Sequence, residues 1–293
     1  MKTRVIINPI SGKERRSLEE WSQPVRLNFP QAEVCLTQRA GHATQLAQQA
    51  VEQGYARILV AGGDGTINEV ARALINTPVA LGILPKGSGN GLARELGMPL
   101  KYEDALLALQ RAQPICCDVG VANGEYFFNV AGVGIEAEIA HRFDTYGKTG
   151  SRGKWPYFKL ALQTIFHYCP PHLHITYDGK EETRTPLTLV FANGTQYGSG
   201  FYIAPQADLT DGKLEMVEIK NVSKWKLLAH VVDFFQKNPL SLDITSTQPI
   251  QQITITAEKE LVYHLDGEPK TTTQPLSIHV LPNALKLLKP IGN

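Results

Sequence analysis

Three short segments have the residue types of a phosphate cradle, and each directly follows an apolar run. Arg57-Ile58-Leu59-Val60-Ala61 leads into Gly62-Gly63-Asp64-Gly65-Thr66. Glycines admit positive φ and let backbone N–H groups approach an anion. A helix opening after such a loop adds its free N–H groups and its dipole. A carboxylate here would repel phosphate unless a cation lay between them, so Asp64 points to Mg2+. Val79 to Leu84 leads into Pro85-Lys86-Gly87-Ser88-Gly89-Asn90-Gly91, and Arg4 to Ile7 leads into Asn8-Pro9-Ile10-Ser11-Gly12. Taken singly, each is also an ordinary strand-to-helix turn. In a parallel sheet the C-terminal strand ends share one edge, where ligands bind. Three such loops on that edge can wrap one polyphosphate.

The elements needed to position these loops are legible around them. A continuous apolar run such as Ile58 to Ala61 is expected of a parallel strand buried on both faces. Ile67, Val70, Ala71 and Leu74 recur at i, i+3, i+4 and i+7, the spacing of a helix face. Thr66-Ile67-Asn68-Glu69 fits a capping box at the start of that helix. A second helix runs through Gln45 to Gln53 with Gly54 as its stop, and a third through Leu92 and Leu96. Strands alternating with helices predict a parallel sheet with right-handed crossovers.

From about residue 115 the pattern changes. Strand-like runs cover Ile115 to Val121, Tyr126 to Val130, His172 to Tyr177, Leu187 to Ala192, Leu214 to Ile219, Ile250 to Ala257, Leu261 to Leu265 and Leu276 to Val280. Asn123-Gly124, Asp178-Gly179, Asn193-Gly194, Asp211-Gly212 and Asp266-Gly267 supply hairpin-turn chemistry. This half is expected to be an antiparallel sandwich, interrupted by helices near Tyr157–Tyr168 and Lys224–Gln236.

Composition bounds the rest. The chain has 293 residues, of which 43% are hydrophobic and 19% charged, a globular composition. Its length suggests about two domains. The formal charge of +1 disfavours nucleic acid as a partner. No window has the ~18 uninterrupted apolar residues of a membrane span, and the apolar run at the N-terminus is too short for a signal peptide. Cys35, Cys116, Cys117 and Cys169 show no CxxC spacing, so reduced thiols in a cytoplasmic protein are expected.

Standard nucleotide motifs do not fit. Gly63-Asp64-Gly65-Thr66-Ile67-Asn68 lacks the third glycine of the dinucleotide fingerprint. Gly147-Lys148-Thr149 resembles the end of a P-loop, but Arg142 stands where its first glycine belongs. Gly132-Val133-Gly134-Ile135-Glu136-Ala137 matches GxGxxA but lies where the strand–helix rhythm has stopped, and reads as a chance match. His172 and His174 share a strand face without a third ligand nearby, which reads as an ordinary strand pair.

Asn8-Pro9-Ile10-Ser11-Gly12-Lys13, Gly62 to Glu69 and Leu84 to Asn90 together resemble the diacylglycerol kinase catalytic family, which includes sphingosine and ceramide kinases. Phe128-Asn129-Val130-Ala131-Gly132-Val133-Gly134, Ala204-Pro205 through Leu214, and Asp266-Gly267-Glu268-Pro269 extend the likeness over nearly the whole chain. The resemblance implies a three-layer α/β nucleotide-binding domain over residues 1–122, similar to that of NAD kinases, and an antiparallel β-sandwich lipid-substrate domain over 123–280. The tail 281–293 is expected to return to the first domain.

It further implies a lipid kinase that uses ATP and Mg2+, most simply on diacylglycerol. Asn8, Pro9, Ser11, Gly12, Thr37, Gly63, Asp64, Gly65, Thr66, Asn68, Glu69 and Ser88 match nucleotide-contacting positions. Asp64 matches the carboxylate that organises catalytic Mg2+, and Glu268 the general base. Asp208, Asp211 and Lys213 match a second, structural Mg2+ site, Asp211 through its side chain and the other two through carbonyls. Alone, Asp266-Gly267-Glu268 is a hairpin turn with a solvated carboxylate, and Asp208 and Asp211 are surface turn residues.

One departure bears on the substrate. The bacterial diacylglycerol kinases usually carry Asp after the asparagine of the third loop, whereas here Asn90 precedes Gly91, closer to the sphingosine and ceramide kinase pattern. The partner is expected to be a lipid at a membrane surface, reached by transient association, and a homodimer is allowed. Lys148, Arg152, Lys154 and Lys159 around Trp155, Tyr157 and Phe158 form one basic-aromatic candidate for that surface. Lys224, Trp225, Lys226, Phe234, Phe235 and Lys237 form another.

Overall fold

A computed structural model describes residues 2–12, 16–149, 154–198, 200–230 and 243–291. The chain divides into two compact units. One holds Met1–Asp118 together with Pro282–Asn293, the other Val119–Leu281.

In the first unit strands and helices alternate. The order is β1 (Thr3–Ile7), α1 (Leu18–Asn28), β2 (Glu33–Leu36), α2 (His42–Glu52), β3 (Arg57–Gly62), α3 (Asp64–Leu74), β4 (Ala80–Pro85), α4 (Gly91–Glu95) and α5 (Tyr102–Arg111). The strands pair in the order β2-β1-β3-β4, all parallel. Ile7 lies beside both Leu36 and Ala61, and Gly62 beside Pro85. Residues following those strands therefore emerge side by side at one edge. Every residue of β1 and β4 is buried, as the continuous apolar runs require for a sheet covered on both faces.

The chain leaves this unit within β5 (Gln113–Ala122). The second unit continues with β6 (Glu125–Phe127), β7 (Val130–Gly134), α6 (Ile135–Thr149), α7 (Lys154–His167), β8 (Leu173–Tyr177), β9 (Lys180–Arg184) and β10 (Thr188–Ala192). There follow β11 (Gln196–Gly198), β12 (Phe201–Tyr202), β13 (Leu214–Ile219), α8 (Lys224–His230), β14 (Thr245–Ile250), β15 (Gln252–Ala257), β16 (Leu261–Leu265), β17 (Glu268–Thr272) and β18 (Leu276–Lys289). Within β18 the chain returns to the first unit, where Lys286 and Leu287 pair in parallel with Ala80 and Leu81 of β4.

One sheet of the second unit runs β14-β13-β10-β7-β16-β17, its described pairs antiparallel. Another joins β18, β15, β8 and β9. Their inner faces meet in a core that includes Phe191, Met216 and Tyr263 from one and Ile175, Ile255 and Ile278 from the other. The second face of the first sheet is buried too: Val130, Val190 and Val217 pack with Ile135 and Ile139 of α6 and Ile165 of α7. This is a sandwich with a helical layer added.

Several sequence expectations change. The capping box at Thr66–Glu69 does not form, because α3 begins at Asp64 with Gly63 as its N-cap. The run Tyr126 to Val130 is two strands, broken at Phe128 and Asn129. Ile250 to Ala257 likewise splits between β14 and β15, which belong to different sheets. The GxGxxA run is a true strand-to-helix junction, since α6 opens at Ile135, although β7 lies between antiparallel neighbours. Asn193-Gly194 is no hairpin turn: Asn193 is buried and its side chain donates to the Phe128 carbonyl at 2.9 Å. Gly147-Lys148-Thr149 is the end of α6 rather than a loop.

Candidate functional site

The three loops of the first unit are interlocked by hydrogen bonds that begin where the sheet ladder ends. Asn8 N–H donates to Ala61 O at 2.8 Å, Thr37 N–H to Ile7 O at 2.9 Å and Lys86 N–H to Gly62 O at 2.9 Å. Beyond this layer, Asn8 Nδ2 donates to Thr66 Oγ1 at 2.8 Å, joining the first loop to α3. Lys86 Nζ donates to Asn8 O at 2.8 Å and sits 3.6 Å from the Trp21 ring centroid, so it ties the third loop to the first.

Two glycines are required for this closeness. Gly12 has φ +83°, and a Cβ there would collide with the Lys86 carbonyl. A Cβ at Gly87 would lie 2.9 Å from Gly63 Cα, closer than backbone atoms tolerate. Ser11 flanks the same contact, its Oγ 3.1 Å from where a Gly63 Cβ would be.

Asp64 joins the second loop to the third. Its Oδ2 accepts Asn90 N–H at 3.0 Å and its Oδ1 accepts Gly91 N–H at 2.8 Å. Asn90 adopts φ +51° and its side chain closes on Gly87, accepting from N–H at 2.9 Å and donating to the carbonyl at 2.8 Å. Each carboxylate oxygen has a second lone pair, so Asp64 keeps the hard oxygen donors a magnesium ion prefers. α3 has no side-chain cap. Its first-turn N–H groups are therefore not spent on a capping side chain, the condition for holding an anion. Gly65 is exposed with nothing within 4 Å of its Cβ position, and Ser88 is exposed.

One of the expected nucleotide residues bonds to a neighbouring helix. Glu69 Oε1 accepts Gly41 N–H at 3.0 Å and its carbonyl accepts Thr44 Oγ1 at 3.0 Å, so it caps α2. Asn68 is buried, with 4% exposure. Pro9 is half-buried in the first loop and Thr37 half-buried at the end of β2.

In the second unit Asp266 and Gly267 have φ +48° and +85° and join β16 to β17 as a two-residue hairpin loop. The Asp266 carboxylate accepts three backbone amides: Phe128 at 2.9 Å on Oδ2, and Asn129 at 2.8 Å and Val130 at 3.0 Å on Oδ1. This clamp breaks the expected strand at Phe128–Asn129. Glu268 opens β17 opposite Leu265 and is exposed. Sequence reasoning missed the bracing roles of Asp266, Lys86 and Asn90. The positive-φ propensity of Asp and Asn was their only local signal.

The loop at residues 208–213 is exposed except for Leu209 and the half-buried Gly212. Asp208 Oδ1 accepts from Thr210 N–H at 2.9 Å and Thr210 Oγ1 at 2.7 Å, and Asp211 Oδ1 accepts Lys213 N–H at 3.0 Å. Among the described residues no group of three or more His, Cys, Asp and Glu side chains gathers as a metal site. His172 and His174 bond Thr185 and Thr183 across the hairpin.

Of the basic-aromatic candidates, Trp225 is 74% exposed and meets Phe166 edge-on at 5.9 Å. Lys226 pairs with Asp243. The side chains of Lys148, Lys154, Trp155, Tyr157, Phe158, Lys159 and Lys224, and Arg152, Phe234, Phe235 and Lys237 entirely, lie outside the described residues. No described helix is long and apolar enough to cross a membrane.

Comparison with known proteins covers both units. The model of the diacylglycerol kinase catalytic domain matches residues 2–122, and that of the YegS C-terminal NAD kinase beta sandwich-like domain matches 129–289. The chain is 31% identical over 264 residues to a protein of Chromohalobacter salexigens named probable lipid kinase YegS-like, covering 89% of this chain and 84% of that one. It is 29% identical over 283 residues to the diacylglycerol kinase of Bacillus subtilis, covering 91% and 89%. A crystal structure of a diacylglycerol kinase from Bacillus anthracis superposes with a TM-score of 0.75 at 22% identity, over 98% of this chain and 96% of that one. That likeness bears on the fold.

Proposed function

Because the chain belongs to the diacylglycerol kinase family of lipid kinases, we propose that it transfers the γ-phosphate of ATP to a lipid hydroxyl, with diacylglycerol as acceptor and phosphatidic acid as product. The observation that supports this best is the interlocked set of three loops at one sheet edge, beside a helix start without a side-chain cap. Phosphoryl transfer is chiefly positioning and charge stabilisation, and this edge offers both.

Asn8, Ser11, Gly12, Gly63 to Thr66 and Ser88 would surround the phosphates. Asp64 would hold Mg2+, and Asp208, Asp211 and Lys213 a second, structural ion. When bound, Mg2+ neutralises charge on the phosphate oxygens. Glu268 takes the proton of the acceptor hydroxyl as its oxygen attacks the γ-phosphorus. The bond from that phosphorus to the ADP oxygen breaks, and its electron pair leaves with ADP. We place the enzyme in the cytoplasm, meeting its lipid at a membrane surface transiently.

A second reading replaces the acceptor by a sphingoid base, ceramide or phosphatidylglycerol. Gly91 favours it, since this position adds no carboxylate beside Asp64. The test is transfer of labelled γ-phosphate from ATP, with Mg2+, to a panel of these lipids and diacylglycerol in mixed micelles. Label on diacylglycerol alone is the expected result. Label on another lipid replaces the acceptor. Turnover without any lipid would indicate a soluble acceptor, as in NAD kinases, and no turnover at all would indicate a binding role.

A further inference from the structure

Behind the Asp266–Gly267 turn lies a pair of ionisable side chains that the reaction above does not use. His264, on β16, is 2% exposed at its side chain. Its Nδ1 accepts Gly267 N–H at 3.3 Å. That places the ring proton on Nε2 in the neutral imidazole. Nε2 lies 3.9 Å from Oε1 of Glu136, in the first turn of α6, and neither buried atom has a hydrogen-bond partner.

The surroundings are built to admit this pair. Gly132 of β7 packs between the two groups: a Cβ there would lie 2.7 Å from His264 Nε2 and would collide with Glu136 Oε1. The GxGxxA run thus serves packing. The Tyr197 ring lies against the imidazole, centroids 5.7 Å apart and tilted by 46°. The Thr188 hydroxyl donates toward Glu136 Oε2 and, at 3.1 Å, toward Val133 O. Burial favours the protonated carboxyl against the pull of the Thr188 bond, pushing Glu136 up to about 7, and holds His264 neutral, pushing it down to about 4.

We propose that Glu136 and His264 are positioning residues, a half-buried carboxyl behind a buried imidazole that holds the Gly267 amide and so fixes where the hairpin presents the Glu268 carboxylate. This rests on the reading of Glu268 as general base. His264 grips one end of the two-residue turn while the Asp266 carboxylate clamps the other to β7, and Glu136 keeps the imidazole facing Gly267.

The test is a double-mutant cycle on phosphoryl transfer, with hydrogen exchange at the Gly267 amide as a readout independent of chemistry. His264→Leu should lower kcat about 10- to 100-fold, the cost of a small misplacement of a reacting group, at an unchanged KM for ATP. It should also accelerate Gly267 exchange. His264→Asn, whose amide oxygen can occupy the Nδ1 position, should restore most of both. In a Glu268→Gln background, His264→Leu should have no further effect on kcat. If His264→Leu does not melt cooperatively, His264→Gln replaces it, since its amide reaches the Nε2 position and leaves Nδ1 unfilled. Multiplicative losses in the double variant, or an unchanged Gly267 exchange rate, would overturn the proposal. Full activity of Glu268→Gln alone would overturn the base assignment instead, while the exchange rate still reports whether His264 holds the turn.

Discussion

The carboxylate of Asp64 accepts the amide of Gly91 at 2.8 Å, so one side chain at the start of α3 also closes the start of α4. Asp64 therefore has two separable duties, bracing the third loop and holding a cation. Asp64→Asn keeps the shape and one good acceptor but removes the charge. It should lower kcat at least ~100-fold, as loss of electrostatic stabilisation does, while lowering stability by only ~1 kcal/mol. Steady-state kinetics beside urea unfolding separate the two. Equal rates in Asp64→Asn and wild type would remove Asp64 from the metal site.

Glu268 is exposed at the head of β17. Its replacement by Gln should leave folding intact and cut kcat about 100- to 10,000-fold, the range of general-base catalysis, with the KM for ATP unchanged. A change confined to KM would assign it to binding.

Gly87 touches Gly63 across the loop contact. Gly87→Ala should part the second and third loops and weaken ATP binding about tenfold, ~1.4 kcal/mol. Titration with a fluorescent ATP analogue reads this directly. Unchanged affinity would mean that the loops need not touch to hold nucleotide.

Asp266 satisfies three backbone amides. Asp266→Ala leaves all three without their acceptor and should cost ~3 kcal/mol or more. Chemical unfolding should show a lower midpoint. If the midpoint stays put, water replaces the carboxylate and the clamp is not structural.

The Glu136–His264 pair predicts two opposed pH dependences. Glu136 is raised from 4.5 to about 7 by burial, so its contribution is present below pH 4.5 and is lost as pH rises to about 7. His264 is lowered from 6.5 to about 4 by burial, so its contribution grows from pH 4 to 6.5. The two oppose each other between pH 4.5 and 6.5. Glu136→Gln should unmask stability that rises with pH in that window. His264→Asn should unmask stability that falls. Parallel stability–pH curves for both variants and wild type would contradict the burial of these charges.

The parallel half of the fold was legible because its signals are local. Each buried strand is one apolar run, and each loop follows at once, so Asn8, Gly63 and Ser88 could be placed on one edge without tertiary knowledge. The start of α3 was misjudged because a glycine N-cap leaves no side-chain signal, whereas Thr66 and Glu69 imitate a box while serving Asn8 and Gly41. The helical layer on the sandwich was missed at α6, whose opening residues follow the glycine-rich end of β7 without a capping residue. Full burial of β7 and β10 is what reveals that a third layer must cover them. The Asp266 clamp and the Glu136–His264 pair join residues more than a hundred positions apart, a relationship no local spacing encodes.

The return of β18 to β4 has a consequence for biosynthesis. Lys286 pairs with Ala80 across roughly 200 intervening residues, the kind of remote contact that slows folding. As the ribosome delivers the chain, the strands around the phosphate loops emerge early, but β4 waits for its β18 partner until Lys286 and Leu287 follow about 200 residues later. A chain cut after Leu281 would keep every expected nucleotide, metal and base residue but leave β4 with an open strand edge, the template on which such chains aggregate.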